Sequence, residues 1–198
     1  MGVYEKAKTL NILQLAQWNL LTLARCTTLF HKFSMFPAFG VLAQYETVLN
    51  MLTKGIYGHQ EAVDEDFLFS FGDELDDIFN SIDSMNNCHK VNIDGGADFV
   101  VTDLESDFGT YNLTMMLDDL SKLVVGDDMD ELSCNFVPNG LFADYYIRTL
   151  DTSIEHNQGI QKEKERIWSD FDFVKNKPTE DAFAERMAAY MKLSLPQV

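Results

Sequence analysis

The sequence predicts an all-α protein, a single-domain bundle of about seven helices spanning 1–198. Three observations carry this. Apolar residues recur every three or four positions through most of the chain. Helix start and stop residues fall between those periodic stretches. Charge is partitioned along the chain rather than mixed. Residues 1–60 hold five basic and two acidic residues, 61–151 hold three basic and 22 acidic, and 152–198 hold seven basic and eight acidic. A nearly uncharged first third followed by a strongly acidic middle fits the buried and solvated halves of one helical body. At 46% hydrophobic residues with 15 Phe and 9 Met, the chain can bury a large core.

The first helix is expected after Thr9 as cap, with Leu10, Leu13, Ala16, Leu20, Leu21, Leu23 and Ala24 apolar and Trp18 and Phe30 beside them. Between Thr9 and Thr53 the only Lys, Arg, Asp or Glu residues are Arg25, Lys32 and Glu46. A helix apolar on nearly every side is central in its bundle. Ser34 then Pro37 marks the next start. That second helix runs to about Lys54 and stops at Gly55 and Gly58. An acidic linker follows, and Asp64 or Asp66 can cap a third helix. Its Leu68, Phe71, Leu75, Ile78, Ile82 and Met85 keep the helical period, while Asp73, Glu74, Asp76 and Asp77 occupy the other faces.

Residues 86–102 break that period. Lys90 to Val101 alternates apolar and polar about Asp94-Gly95, which signals a small β-hairpin or an irregular loop. Asp103 can cap a fourth helix with Tyr111, Leu113, Met116, Leu117, Leu120 and Val124 inward, Asp118 and Asp119 outward, and Gly126 at its end. Asp127, Asp128, Asp130 and Glu131 open the next helix, where the dipole favours acids. Pro138 and Gly140 interrupt it, it resumes from Leu141 to about Glu155, and Gly159 marks a break. Ile160 to Val174 reads as helix. Thr179 caps the last one, whose stripe is Phe183, Met187, Tyr190 and Met191. Trp18, Leu21, Phe36, Leu49, Leu75, Ile78, Tyr111 and Leu120 form the expected core.

Composition narrows function. A net charge of −17 opposes direct binding to nucleic-acid phosphates or to an anionic membrane surface. No window of about 18 apolar residues is present to span a bilayer. Met1 to Lys6 lacks a signal-peptide pattern, and Lys6 stands where a myristoylation site needs Ser or Thr. Cys26, Cys88 and Cys134 are widely spaced and odd in number, as in reduced thiols of a cytoplasmic protein. His31, His59, His89 and His156 are too dispersed for a zinc pattern. Neither 127–131 nor 92–96 has the calcium-loop spacing. Nucleophile-elbow, phosphate-loop and zinc-protease motifs are missing from the sequence.

The expectation is therefore a cofactor-free, non-enzymatic protein acting through contacts with another macromolecule. Its candidate interaction face is Asp73, Asp76, Asp77, Asp118, Asp119, Asp127, Asp128, Asp130 and Glu131. A first alternative makes this acidic surface a nucleic-acid mimic that occupies a basic protein partner, although acidic helix faces are more often just solvated. The competing readings are that the acids only keep a Phe-rich protein soluble, or that an unrecognised carboxylate pair serves a hydrolase or metal-dependent enzyme.

Two stretches resemble a known family. Leu10 to Trp18, then His31-Lys32-Phe33-Ser34-Met35-Phe36, then Tyr45, Val48 and Leu49, are similar to the opening of the YjaG-like family of uncharacterised all-helical bacterial proteins. Phe108-Gly109-Thr110-Tyr111 and Leu120-Ser121-Lys122-Leu123-Val124 resemble its aromatic-Gly-x-Tyr helix entry and Leu-Ser-x-Leu continuation. The likeness covers the first sixty residues and about twenty in the middle. It departs at Asn112, where the family has Pro, and at Met115-Met116-Leu117, where it has Asp-Ala-Cys. The resemblance implies an all-α single domain of a divergent bacterial relative, and implies no activity.

Overall fold

The computed structural model describes residues 6–32, 41–86, 91–93, 97–99, 116–126 and 156–192. These form six α-helices: α1 (Ile12–Lys32), α2 (Val41–Ile56), α3 (Glu65–Asn86), α4 (116–125), α5 (His156–Lys175) and α6 (Glu180–Met191). A 3-10 turn, Gln60–Ala62, joins α2 to α3. Two three-residue strands, β1 (Val91–Ile93) and β2 (Ala97–Phe99), pair antiparallel with Val91 opposite Phe99. The all-α expectation holds, with the described strand confined to the stretch that breaks the helical period.

Helix α1 is the hub, packing against α2, α5 and α6. Its low charge explains this, because a helix that is apolar on several sides can be covered on several sides. Trp18, Leu20, Leu21, Leu23 and Ala24 are fully buried. Trp18 lies edge-on to Phe171, and its Nε1 donates to the Ile167 carbonyl at 3.1 Å. Tyr45 of α2 buries its ring beside Phe71 and donates its hydroxyl to the Leu23 carbonyl at 2.6 Å. Leu49, Leu75 and Leu120 are buried as expected. Phe36 and Tyr111, and the side chain of Ile78, lie outside the described residues.

Caps correct several expected boundaries. Asn11, not Thr9, starts α1: its Oδ1 accepts from Gln14 N at 2.9 Å, and Gln14 Oε1 accepts from Asn11 N at 3.0 Å. This reciprocal box satisfies two of the orphan N–H groups of the first turn. Thr9 instead donates its hydroxyl to the Lys6 carbonyl. Asp64 caps α3 by accepting from Phe67 N, and Thr179 caps α6 by accepting from Ala182 N. Helix α5 begins at His156 and runs through Gly159, so that glycine is an interior residue rather than a break. One glycine inside a helix costs about 1 kcal/mol relative to alanine.

Gly55 and Gly58 do different things. Gly58 has φ +90° and ends α2, with His59 N bonded to Lys54 O and Gly58 N to Gly55 O, the paired bonds of a left-handed C-terminal cap. Gly55 lies within the helix and is buried. A Cβ built there would sit 2.6 Å from Val124 Cβ, so its role is to let α4 approach α2. The starts expected at Ser34–Pro37 and Asp103, the Asp94-Gly95 turn and the interruption at Pro138–Gly140 lie outside the described residues.

Candidate functional site

Of the carboxylates expected to form one face, the structure places Asp73 and Asp77 on the exposed side of α3. They are joined by Glu65, Asp66 and Glu74 on the same helix, and by Asp64 and Glu61 just before it, all exposed. At 100° per residue, Asp66, Asp73 and Asp77 fall within one narrow stripe opposite the buried Leu68, Phe71 and Leu75. Phe69 stands beside this stripe with 38% of its surface exposed. The sequence has no Lys, Arg or His between Gln60 and Cys88. Helix α3 therefore carries acids against its own dipole as well as with it, and has no basic residue in its last turn.

Helix α4 does not extend this face as expected. Asp119 is only 3% exposed. The buried stripe of Met116, Leu117, Leu120 and Val124 is wide enough that position 119 falls on its flank. Asp118 is half-exposed and pairs with Lys122 one turn on, at 2.5 Å. Lys122 cancels its charge locally. The Asp76 side chain and residues Asp127, Asp128, Asp130 and Glu131 lie outside the described residues.

Two clusters that the sequence did not single out lie across α1, α2, α5 and α6. In the first, Arg25 and Asp170 form an ion pair with both side chains fully buried. Asp170 Oδ1 also accepts from Arg186 Nε and from the Tyr190 hydroxyl, each at 2.7 Å. Arg25 further donates to the Leu21 carbonyl and the Thr22 hydroxyl. Burial, reinforced by the Asp170 charge, raises the Tyr190 hydroxyl above its ordinary pKa. A carboxylate clamped by two guanidiniums and a phenol has its lone pairs committed, so this arrangement holds charge rather than moving protons. Arg25 was visible as an isolated charge in an apolar helix. Its partner was not, because Asp170 sits among other charges in a polar segment.

The second cluster is at the surface. Glu180 meets Lys54 Nζ at 2.5 Å and His59 Nε2 at 2.7 Å. The hydrogen bonds from Lys54 and then His59 lower the Glu180 carboxyl below its usual range, and Glu180 in turn raises Lys54. Beside it Tyr57 accepts from Gln17 Nε2 and donates to the Pro178 carbonyl. Among the described residues, no three His, Cys, Asp or Glu side chains converge in a way that could hold a metal ion. No helix among the described residues is long and apolar enough to cross a membrane. Compared with protein-family models, curated proteins and solved structures, the chain matches none.

Proposed function

We propose that this protein is a non-enzymatic binder that captures a basic protein partner on the outer face of α3. The observation that carries the reading is the stripe Asp66, Asp73 and Asp77 beside an exposed Phe69, on a helix without a single cation of its own. Like charges one helical turn apart, such as Asp73 and Asp77, repel and weaken an isolated helix. A cationic partner would relieve that repulsion. The charge would steer the encounter, while Phe69 supplies apolar contact beside the acids. Acids kept only for solubility need not share one stripe, nor leave an aromatic ring among them.

The hydrolase alternative draws no support from the described carboxylates that converge on other groups. Asp170 is committed to two arginines, and Glu180 to a lysine and a histidine. We also propose that the chain acts in the cytoplasm of a bacterium as a divergent relative of the YjaG-like proteins. The experimental structure of such a relative should then show a central Trp-bearing first helix followed by a Tyr-led second one.

The binding reading is tested with Asp66→Asn/Asp73→Asn/Asp77→Asn against the parent chain. Partners captured from cell extract at low salt should be basic, and should release steeply as salt rises to physiological strength. The triple variant should lose them while unfolding at the same denaturant concentration to within about 0.5 kcal/mol, because exposed charges contribute little to stability. Partners retained unchanged by the triple variant would leave the acids a solubilising role only.

A further inference from the structure

The large hydrophobic side chains that are exposed among the described residues lie in two places. Ile12 and Leu13 open α1, and Phe69 stands beside the acidic stripe of α3. The two places differ in charge. The start of α1 is joined to the end of α5, because Gln14 Nε2 donates to the Val174 and Lys175 carbonyls. Lys6 and Lys175 both set their ammonium groups over the Phe171 ring, 4.9 and 5.6 Å from its centroid. Lys177 follows, exposed, in the turn to α6. None of these three lysines makes an ion pair among the described residues. Residues 6–45 contain no Asp or Glu. The acids nearest to Lys175 and Lys177 along the chain are Asp172, Glu180 and Asp181, and Glu180 is already held by Lys54 and His59. Three lysines thus stand against Asp172 and Asp181 at this end, on a chain whose net charge is −17.

The outer face of α3 has the opposite make-up, with Phe69 beside Asp66, Asp73 and Asp77 and no cation on the helix. Each place pairs exposed apolar surface with charge, and the charges are of opposite sign. Both are open in the single chain, so neither covers the other. Repulsion between two acidic copies is largely screened beyond about 8 Å at physiological ionic strength, so the groups that face each other across a contact decide it. Two different patches that fit one another join copies head to tail.

We infer that the Ile12–Leu13 end of the bundle, with Lys6, Lys175 and Lys177, docks on the outer face of α3 of a second copy of this chain. The inference rests on the reading of that face as a receptor for a cationic surface, and it names the surface. Two aliphatic side chains and one ring make a small contact, so the dissociation constant falls between about 1 μM and 1 mM.

The test is sedimentation velocity of the full-length chain at physiological salt, over concentrations up to about 1 mM. The average mass should rise with concentration. An end variant, Ile12→Ser/Leu13→Ser, and a face variant, Asp66→Asn/Asp73→Asn/Asp77→Asn, should each self-associate about tenfold or more weakly. Mixed in equal amounts, they should form a 1:1 complex with the affinity of the parent and go no further, because one keeps an intact face and the other an intact end. Should the end variant fail to fold, Lys6→Glu/Lys177→Glu takes its place. A parent that stays monomeric throughout, a variant that associates as the parent does, or a mixture that forms no complex would each overturn the inference. A monomeric parent whose α3 face still captures a basic protein from cell extract overturns this docking and leaves the earlier reading in place. Complementation of the two variants, with captured partners indifferent to the three acids, keeps the docking and removes the earlier reading.

Discussion

Asp170 and Thr27 show how much a single polar group can matter in this core. Asp170 neutralises Arg25 where neither reaches water. Asp170→Asn would keep the shape and remove the negative charge that faces buried Arg25. Such a change costs about 3–5 kcal/mol, read as a drop in the urea unfolding midpoint. Arg25→Met/Asp170→Asn should cost less than Asp170→Asn alone, because the amide oxygen still accepts from Arg186 and Tyr190 and no buried guanidinium is left facing it. A cycle in which the double variant is the worse of the two would show that the pair contributes more than mutual compensation. Thr27 behaves in the opposite way. Its Oγ1 is buried with no hydrogen-bond partner among the described residues. A helical threonine ordinarily bonds the carbonyl four residues back, here Leu23, and that oxygen already accepts from the Tyr45 hydroxyl. Thr27→Val should therefore be neutral or stabilising by up to about 1 kcal/mol, since it removes a desolvated hydroxyl at nearly constant shape. A loss of more than that in the same urea assay would mean the hydroxyl has a partner.

At the scale of elements, the ends of helices and one close crossing decide stability. The Asn11–Gln14 box does more than cap α1. Gln14 Nε2 also reaches the Val174 and Lys175 carbonyls, so the start of α1 satisfies the end of α5. Asn11→Ala should destabilise by about 1 kcal/mol, whereas Thr9→Ala should change little. Thermal unfolding of the two variants side by side checks which residue is the cap. The crossing of α2 and α4 is fixed by Gly55. Gly55→Ala would place a methyl group against Val124 Cβ, an atom fixed to the backbone, which cannot turn aside. The two helices would have to separate, at a cost of about 1–3 kcal/mol. The companion variant Val124→Ala in the Gly55→Ala background should leave much of that loss in place, because Val124 Cβ itself is the nearest atom.

For the molecule as a whole, alkaline pH tests the joint between α2 and α6. Burial pushes the Tyr57 hydroxyl up from 10.0 to about 12, with Glu180 adding to the rise. The folded state thus resists ionising a group that the unfolded chain ionises freely. Stability from this source is complete below pH 10.0 and is lost as pH climbs toward about 12. Lys54 and Tyr190 are raised too, and act in the same direction. Urea midpoints measured across this window should fall, and Tyr57→Phe should fall less steeply than the parent. Curves of equal slope would show that Tyr57 is no more buried than an ordinary surface tyrosine. Near neutral pH Tyr57, Tyr190 and Lys54 all keep their protons, so these three groups add no pH dependence there.

The sequence by itself determined most of the described helices. Periodic apolar residues and local caps act over one or two turns, so Asp64, Thr179, Gly58 and Gly126 could be placed without knowing any neighbour. It also determined that α1 would be central, because a segment so poor in charge has no face suited to water; Trp18 and Leu21 follow from that alone. The exposure of Asp73 and Asp77 follows from the apolar stripe opposite them. Only the tertiary structure decided the rest. Asp170 is matched to Arg25 across 145 residues, and periodicity encodes nothing at that distance. Asp119 is buried because the packed face of α4 is wider than its apolar residues indicate. Gly55 read as a stop because glycine ends helices more often than it lets two of them touch, and the approach of Val124 reverses that. The bonds of Arg186 to Asp170 and Ser169 have the same physical reason: which donors a guanidinium uses depends on what the fold brings beside it.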